Sequence, residues 1–153
     1  MNIIQTIKPF ETLSTIELYN IMALRQEVFV VEQNCPYLDA DGVDIHAQHL
    51  MLIDEQGKLI AYTRLIPEGV SYEGYTSIGR VVSSPSVRGK GFGKLLMNRS
   101  IEAIKAIFGT HLPIKIGAQA YLLAFYENLG FKSTGEEYLE DGIPHIKMIR
   151  KWS

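Results

Sequence analysis

The chain has 153 residues, the size of one domain, and 46% of them are hydrophobic, enough to build a core. A net charge of −2 gives no field that would gather a polyanion, so nucleic acid is not an expected partner. The single cysteine, Cys35, rules out an internal disulfide and a Cys-based metal centre; it reads as a small apolar residue ahead of Pro36, and no metal is expected.

The N-terminus, MNIIQTIKPFETLS, lacks a basic start followed by a long apolar run, and no segment approaches 18 apolar residues. No membrane partner is expected, and the chain reads as a cytoplasmic protein with one domain over residues 1–153. Asn2 to Lys8 reads as an edge strand ending at Pro9. Ser14-Thr15-Ile16-Glu17 makes a capping box, and Leu18, Met22, Val28 and Phe29 form a helical stripe that should end near Gln33. Residues 34–46 are turn-rich and acidic. His49 to Ile53 and Lys58 to Pro67 form a hairpin around Glu55-Gln56-Gly57. Tyr75 to Ser83 is a further strand, Gly91 to Phe108 a helix with Met97, Ile101, Ile104 and Phe108 on one face, and Pro113 to Ala118 a buried strand. Tyr121 to Leu129 is a short helix closed by Gly130, and Phe131 to Tyr138 with His145 to Trp152 make a second hairpin. The order β, α, β, β, β, α, β, α, β, β defines an α/β chain with a mixed sheet.

Between the strand Tyr75 to Ser83 and the long helix lies Arg88-Gly89-Lys90-Gly91-Phe92-Gly93-Lys94. Glycines there let successive amides turn toward one point, and the helix start adds unpaired donors and the positive end of its dipole, so an anion belongs at this loop. A P-loop is excluded, because Gly89 lies only four residues before Gly93 and Leu95 stands at the Mg²⁺-binding hydroxyl position. A dinucleotide loop starting at Gly91 and Gly93 would need a third glycine where Leu96 stands. The remaining pattern, Arg88-x-x-Gly91-x-Gly93, is similar to the pyrophosphate loop of the GNAT N-acetyltransferase superfamily.

The likeness extends beyond the loop. Ala124-Phe125-Tyr126-Glu127-Asn128-Leu129-Gly130-Phe131 resembles the superfamily segment that follows its fifth strand. The stretch Leu24 to Tyr37, Ile78-Gly79-Arg80-Val81, Gly117-Ala118-Gln119-Ala120 and Glu140 to His145 resemble the ElaA-like subfamily, so the likeness covers nearly the whole chain. It implies the acyl-CoA N-acyltransferase fold, a mixed and mostly antiparallel sheet with helices on both faces. It also implies acetyl-CoA as co-substrate, its pyrophosphate on the amides of Arg88, Gly89, Lys90, Gly91, Phe92, Gly93 and Lys94, with the three cations available for phosphate charge. Val81, Val82 and Ser83 would offer backbone groups to the pantetheine arm where two central strands splay, and one N–H there would polarise the thioester carbonyl. Gln119 is placed with the donor by the same likeness, and a homodimer is a further expectation.

Acetyl transfer needs a neutral amine, yet an alkyl amine with a pKa of about 10.4 is protonated more than about 99.9% of the time at pH 7, a handicap of roughly 4 to 5 kcal/mol. The protein must remove a proton. The leaving thiolate benefits from a positioned acid, and the likeness puts the Tyr126 phenol in that role. For the base, His49 and His145 have the suitable residue type, and Glu32 or a water relay are the alternatives. The acceptor is expected to be a small-molecule or peptide amine. The carboxylates of Asp39-Ala40-Asp41-Gly42-Val43-Asp44 could attract such a cation or merely solvate a turn; the spacing does not fit a calcium loop. Arg25, Arg64 and Arg80 are expected to pair with Glu32, Asp41 or Asp44, or to meet an acceptor carboxylate. Two other functions share these features: an acyltransferase like the acyl-homoserine-lactone synthases, and a CoA-binding sensor without turnover.

Overall fold

A computed structural model describes residues 2–153. The elements run β1 (Ile4–Pro9), α1 (Thr15–Arg25) continuing as a π-helical segment (Gln26–Glu32), β2 (Gln48–Ile53), β3 (Leu59–Ile66), β4 (Ser77–Ser83), α2 (Phe92–Phe108), β5 (Ile114–Gln119), α3 (Leu123–Glu127), β6 (Lys132–Glu140) and β7 (Ile143–Arg150). Each expected strand and helix is present, with ends shifted by a few residues.

The strands form two antiparallel sheets, in the order β1-β2-β3-β4 and β5-β7-β6. They touch through one parallel bridge, Thr76 to Ile114, in which the Lys115 amide donates to the Thr76 carbonyl at 2.9 Å and the Thr76 amide to Pro113 at 3.2 Å. Beyond that point β4 and β5 diverge. The mixed sheet expected from the sequence is therefore two mostly independent halves joined at one end, and the divergence opens a V between them.

Helices cover both faces. Leu96, Met97, Ile101 and Ile104 of α2 pack with Leu50, Leu52, Ala61 and Leu65, while Ile21, Leu24 and Val28 pack on the opposite face against Met51, Tyr62 and Val82. Strand alternation explains the division, since Leu50 and Leu52 point one way and Met51 the other. The Thr63 hydroxyl donates to Ser100 Oγ at 2.7 Å, which itself donates to the Leu96 carbonyl, so this buried polar pair under α2 is satisfied.

Helix α1 begins as its capping box requires: Ser14 Oγ accepts the Glu17 amide at 3.0 Å, and Glu17 Oε1 accepts the Ser14 amide at 2.8 Å. Its buried face differs from the expected stripe. Ile21, Leu24, Arg25 and Val28 are buried, whereas Leu18 and Met22 are only half-covered. The turn that follows is wider: the Gln33 amide donates to the Val28 carbonyl and the Cys35 amide to Val30, five residues back in each case. The extra residue per turn brings Phe29, Glu32 and Gln33 round to the V.

Candidate active site

The V widens into a cleft of about 880 Å³, walled by the π-helical segment, the loop after it, β4, the start of α2, the end of β5, α3 and the β6–β7 turn. Its size suits a cofactor-sized ligand.

One wall is β4. Thr63 faces two residues of β4, because the pairing Tyr62 to Val82 is followed by Arg64 to Gly79 and leaves Arg80 and Val81 as a bulge. Arg80 takes the left-handed conformation, φ +50°, that lets the extra residue fit. The Ser84 amide donates to the Ile60 carbonyl at 2.8 Å, so alternation turns the Val82 amide toward β3 and those of Val81 and Ser83 toward the cleft. Gly79 allows the packing beneath, since a Cβ there would sit 3.3 Å from Arg64 Nε.

The floor is the glycine loop. Gly89 and Gly91 have φ of +78° and +80°, conformations only glycine adopts without strain. The first amide of this turn to find a backbone acceptor is that of Leu95, on Gly91; the amides from Gly89 to Lys94 make no hydrogen bond among the described residues. A row of unpaired donors at the start of a helix of 17 residues is an anion cradle. Arg88, Gly89, Gly91, Phe92 and Gly93 line the cleft, but Lys90 and Lys94 are exposed outside its lining, without ion pairs among the described residues. Arg88 donates to Glu32 Oε2 at 2.6 Å, joining the loop to the π-helical segment opposite.

Tyr126 comes from α3, whose end is closed as expected: the Gly130 amide donates to Glu127, the Phe131 amide to Tyr126, and Gly130 has φ +94°. The side chain is 6% exposed, edge-on to Phe125 and Phe131. Its hydroxyl makes no hydrogen bond among the described residues, yet it lines the cleft. Burial, helped by Tyr121, pushes its pKa up to about 12, so the phenol is protonated at neutral pH.

The base candidates separate. His145 of β7 pairs in register with Gln119 of β5, and both line the cleft with Tyr126. Its Nδ1 lies 2.7 Å from the Ile143 carbonyl, which can only accept, so Nδ1 carries hydrogen and the lone pair of the neutral ring sits on Nε2. Glu140 Oε2 is 3.2 Å from that Nε2. His49 is a correction to the sequence expectation: it is 0% exposed and does not line the cleft. Its Nε2 donates to the Asp44 carbonyl at 2.8 Å and its Nδ1 accepts from the Tyr62 hydroxyl at 2.6 Å, which leaves no lone pair for substrate. Burial lowers the His49 pKa, consistent with a neutral ring. Glu32 lines the cleft but is committed to Arg88, whose hydrogen bond outweighs the opposing effect of burial and holds its carboxyl below the ordinary range.

The carboxylates of the acidic loop are not free: Asp39 and Asp44 are buried, and Asp41, though exposed, accepts the Val43 amide and is paired as well. Arg25, 0% exposed, donates to Asp39 Oδ2 at 2.8 Å and Asp44 Oδ1 at 2.7 Å; Arg64 donates to Asp41 at 2.7 and 2.8 Å and to Asp44 at 3.0 Å; Arg80 donates to Asp39 Oδ1 at 2.7 Å. The expected partners Asp41 and Asp44 are present. Glu32 is not among them and Asp39 takes its place, because the turn of chain after Pro36 folds Asp39 back over α1. Sequence spacing gave no signal of that fold-back, nor of Tyr138, whose hydroxyl lies over Gly117 and would have to shift to admit a Cβ there.

Two neighbouring strands that part to admit a ligand, with a row of unpaired amides at the foot of the opening, define an enzyme class that binds an acyl-CoA. The acetyltransferase (GNAT) domain model matches residues 27–151, and the chain belongs to that family. It is 44% identical to a UPF0039 protein of Schizosaccharomyces pombe, over 92% of each chain. It is 41% identical to the ElaA protein of Escherichia coli, over 91% of this chain and 90% of that one, and the crystal structure of E. coli ElaA superposes with a TM-score of 0.89 at 38% identity, covering 98% of this chain and all of the other. The crystal structure of an acyl-CoA N-acyltransferase from Pseudomonas aeruginosa matches at 44% identity with a TM-score of 0.87, over 96% of this chain and 99% of that one. The expected fold and family, ElaA-like members included, are thereby established. No helix among the described residues is long and apolar enough to cross a membrane.

Proposed function

We propose that this chain is an N-acetyltransferase that passes the acetyl group of acetyl-CoA directly to a primary amine while both substrates are bound. The observation that carries the reading is the run of unpaired amides from Gly89 to Lys94 at the foot of the V between β4 and β5. Their donors suit a pyrophosphate, Arg88 adds charge, and the outward amides of Val81 and Ser83 suit the pantetheine arm and the thioester carbonyl. Acetyl-CoA supplies an activated acyl group with a thiolate leaving group.

The side chains divide the proton work. Tyr126 donates its proton to the departing sulfur; its high pKa keeps the proton available, and the same apolar burial raises the basicity of a thiolate beside it. His145 Nε2 takes the proton of the incoming ammonium, with Nδ1–H anchored on Ile143 so that the tautomer is fixed. Gln119, across the β5–β7 pair from His145, lines the same space. Direct transfer is supported by the size of the cleft, about 880 Å³, and by the one cysteine, Cys35, which is turned to the Asp141 carbonyl at 3.6 Å.

The test is release of CoA thiol from acetyl-CoA over a panel of primary amines, with initial rates measured against both substrates. The reading predicts amine-dependent release and intersecting double-reciprocal lines. Parallel lines would overturn direct transfer, and tight acetyl-CoA binding without release across the panel would favour a sensor.

A further inference from the structure

The part of the cleft away from the glycine loop is formed by the loop after α1 and by the β6–β7 turn, and its charges are unevenly committed. Arg80, the one arginine on that wall, is already held by Asp39 and Asp41. No cation lining this part, among the described residues, lacks a carboxylate partner. The carboxylates differ: Asp141 makes no side-chain ion pair or hydrogen bond, and the exposed Glu140 meets only His145.

The same wall presents apolar surface. Leu38 lines the cleft at 79% exposure. It is held there, because its neighbours are anchored on both sides: the Tyr37 hydroxyl donates to Asp39 Oδ1 at 2.9 Å, the Tyr37 ring lies 5.4 Å from the Arg80 guanidinium, and Asp39 is bonded to Arg25 and Arg80. A leucine on a rigid loop at a cleft mouth, beside half-buried Phe29, cannot retreat to the core and gains only by covering an apolar ligand.

Resting on the proposed function above, we infer that the acceptor is a primary amine on an apolar or aromatic body that carries no carboxylate. Its ammonium is met by Glu140 and Asp141 on the way to His145, and its body lies against Leu38 and Phe29. A carboxylate next to the amine would meet those two acids with no uncommitted cation to offset it, so the site selects against free amino acids.

The experiment compares 2-phenylethylamine, phenylalaninamide, phenylalanine and spermidine at saturating acetyl-CoA, with acetyl-CoA binding measured separately by calorimetry. The expected result is a kcat/KM for both phenylalaninamide and 2-phenylethylamine at least about tenfold above that for phenylalanine, with spermidine below 2-phenylethylamine. Leu38→Ser is expected to raise the KM for 2-phenylethylamine about threefold or more without moving the affinity for acetyl-CoA. Phenylalanine or spermidine equal to 2-phenylethylamine, or an unchanged KM in Leu38→Ser, overturns the inference. Bound acetyl-CoA with no turnover of any of the four amines also overturns it, whereas failure to bind acetyl-CoA overturns the donor reading beneath it.

Discussion

Tyr126 and His145 illustrate how a residue's role depends on what its polar atom can reach. Both are nearly buried, yet each presents a hydroxyl or ring nitrogen to the cleft, while His49, equally buried, has both nitrogens satisfied inside the protein. Replacing Tyr126 by Phe removes one oxygen and leaves the packing against Phe125 and Phe131; kcat should fall about a hundredfold or more while the acetyl-CoA Kd moves less than about twofold. Because burial pushes the phenol up to about 12, the wild-type rate should show no alkaline loss from Tyr126 between pH 7 and 10. Stopped-flow or steady-state rates with calorimetric binding check both statements. At this scale the sequence was informative about Tyr126, which sits in an extended motif, but uninformative about the choice between the histidines. Both begin strands on alternation alone; only the Tyr62 hydroxyl and the Asp44 carbonyl, distant in sequence or in an irregular loop, distinguish them.

Among the elements, the glycine loop was readable because its chemistry is local: φ, spacing and helix start are all written within a few residues. Its glycines are not equivalent. Gly91 has φ +80° with open space around it, so Gly91→Ala carries a backbone cost of about 1 kcal/mol and should lower Tm by about 2 to 4 °C and weaken acetyl-CoA binding. Gly93 has an ordinary conformation, and a Cβ there would meet Phe125 at 3.6 Å, so Gly93→Ala should keep or raise Tm. Thermal melts of the two variants, with acetyl-CoA titrations, separate the backbone effect from ligand contact. The π-helical segment was not readable, because its period differs from an α-helix only by one residue per turn and Val28-Phe29-Val30-Val31 is apolar at every position. The β4 bulge was equally hidden: nothing in Ile78-Gly79-Arg80-Val81 announces that two residues will face Thr63.

The whole molecule is two sheets hinged at one bridge, with the opening stiffened from the side by three arginines and three aspartates around Arg25. That network ties the acidic loop to α1, β3 and β4 and makes stability depend on pH with a definite sign. Burial alone would raise the Asp41 and Asp44 carboxyls, but hydrogen bonds from Arg64 and Arg25 outweigh it and hold both below the usual range. Their contribution is complete above the unfolded value of about 3.9 and is lost as pH falls through the folded values. His49, its pKa lowered by burial, adds an earlier loss: the unfolded ring takes up a proton below about pH 6.5 while the folded ring resists. Tm should therefore hold steady from pH 8 to 7, decline from about 6.5, and fall steeply below about 4; His49→Gln should flatten the first decline, which melts over that range will check. The order of strands and helices was legible, whereas the division of the expected single sheet into two was implied only by the splay of the family likeness, since a splay is a relation between strands and not a property of either. The structure of the chain with CoA bound tests the account most directly. It predicts pyrophosphate oxygens within hydrogen-bonding distance of the amides between Gly89 and Lys94 and the sulfur within reach of the Tyr126 hydroxyl; a sulfur lying outside the V between β4 and β5, away from Tyr126, would contradict it.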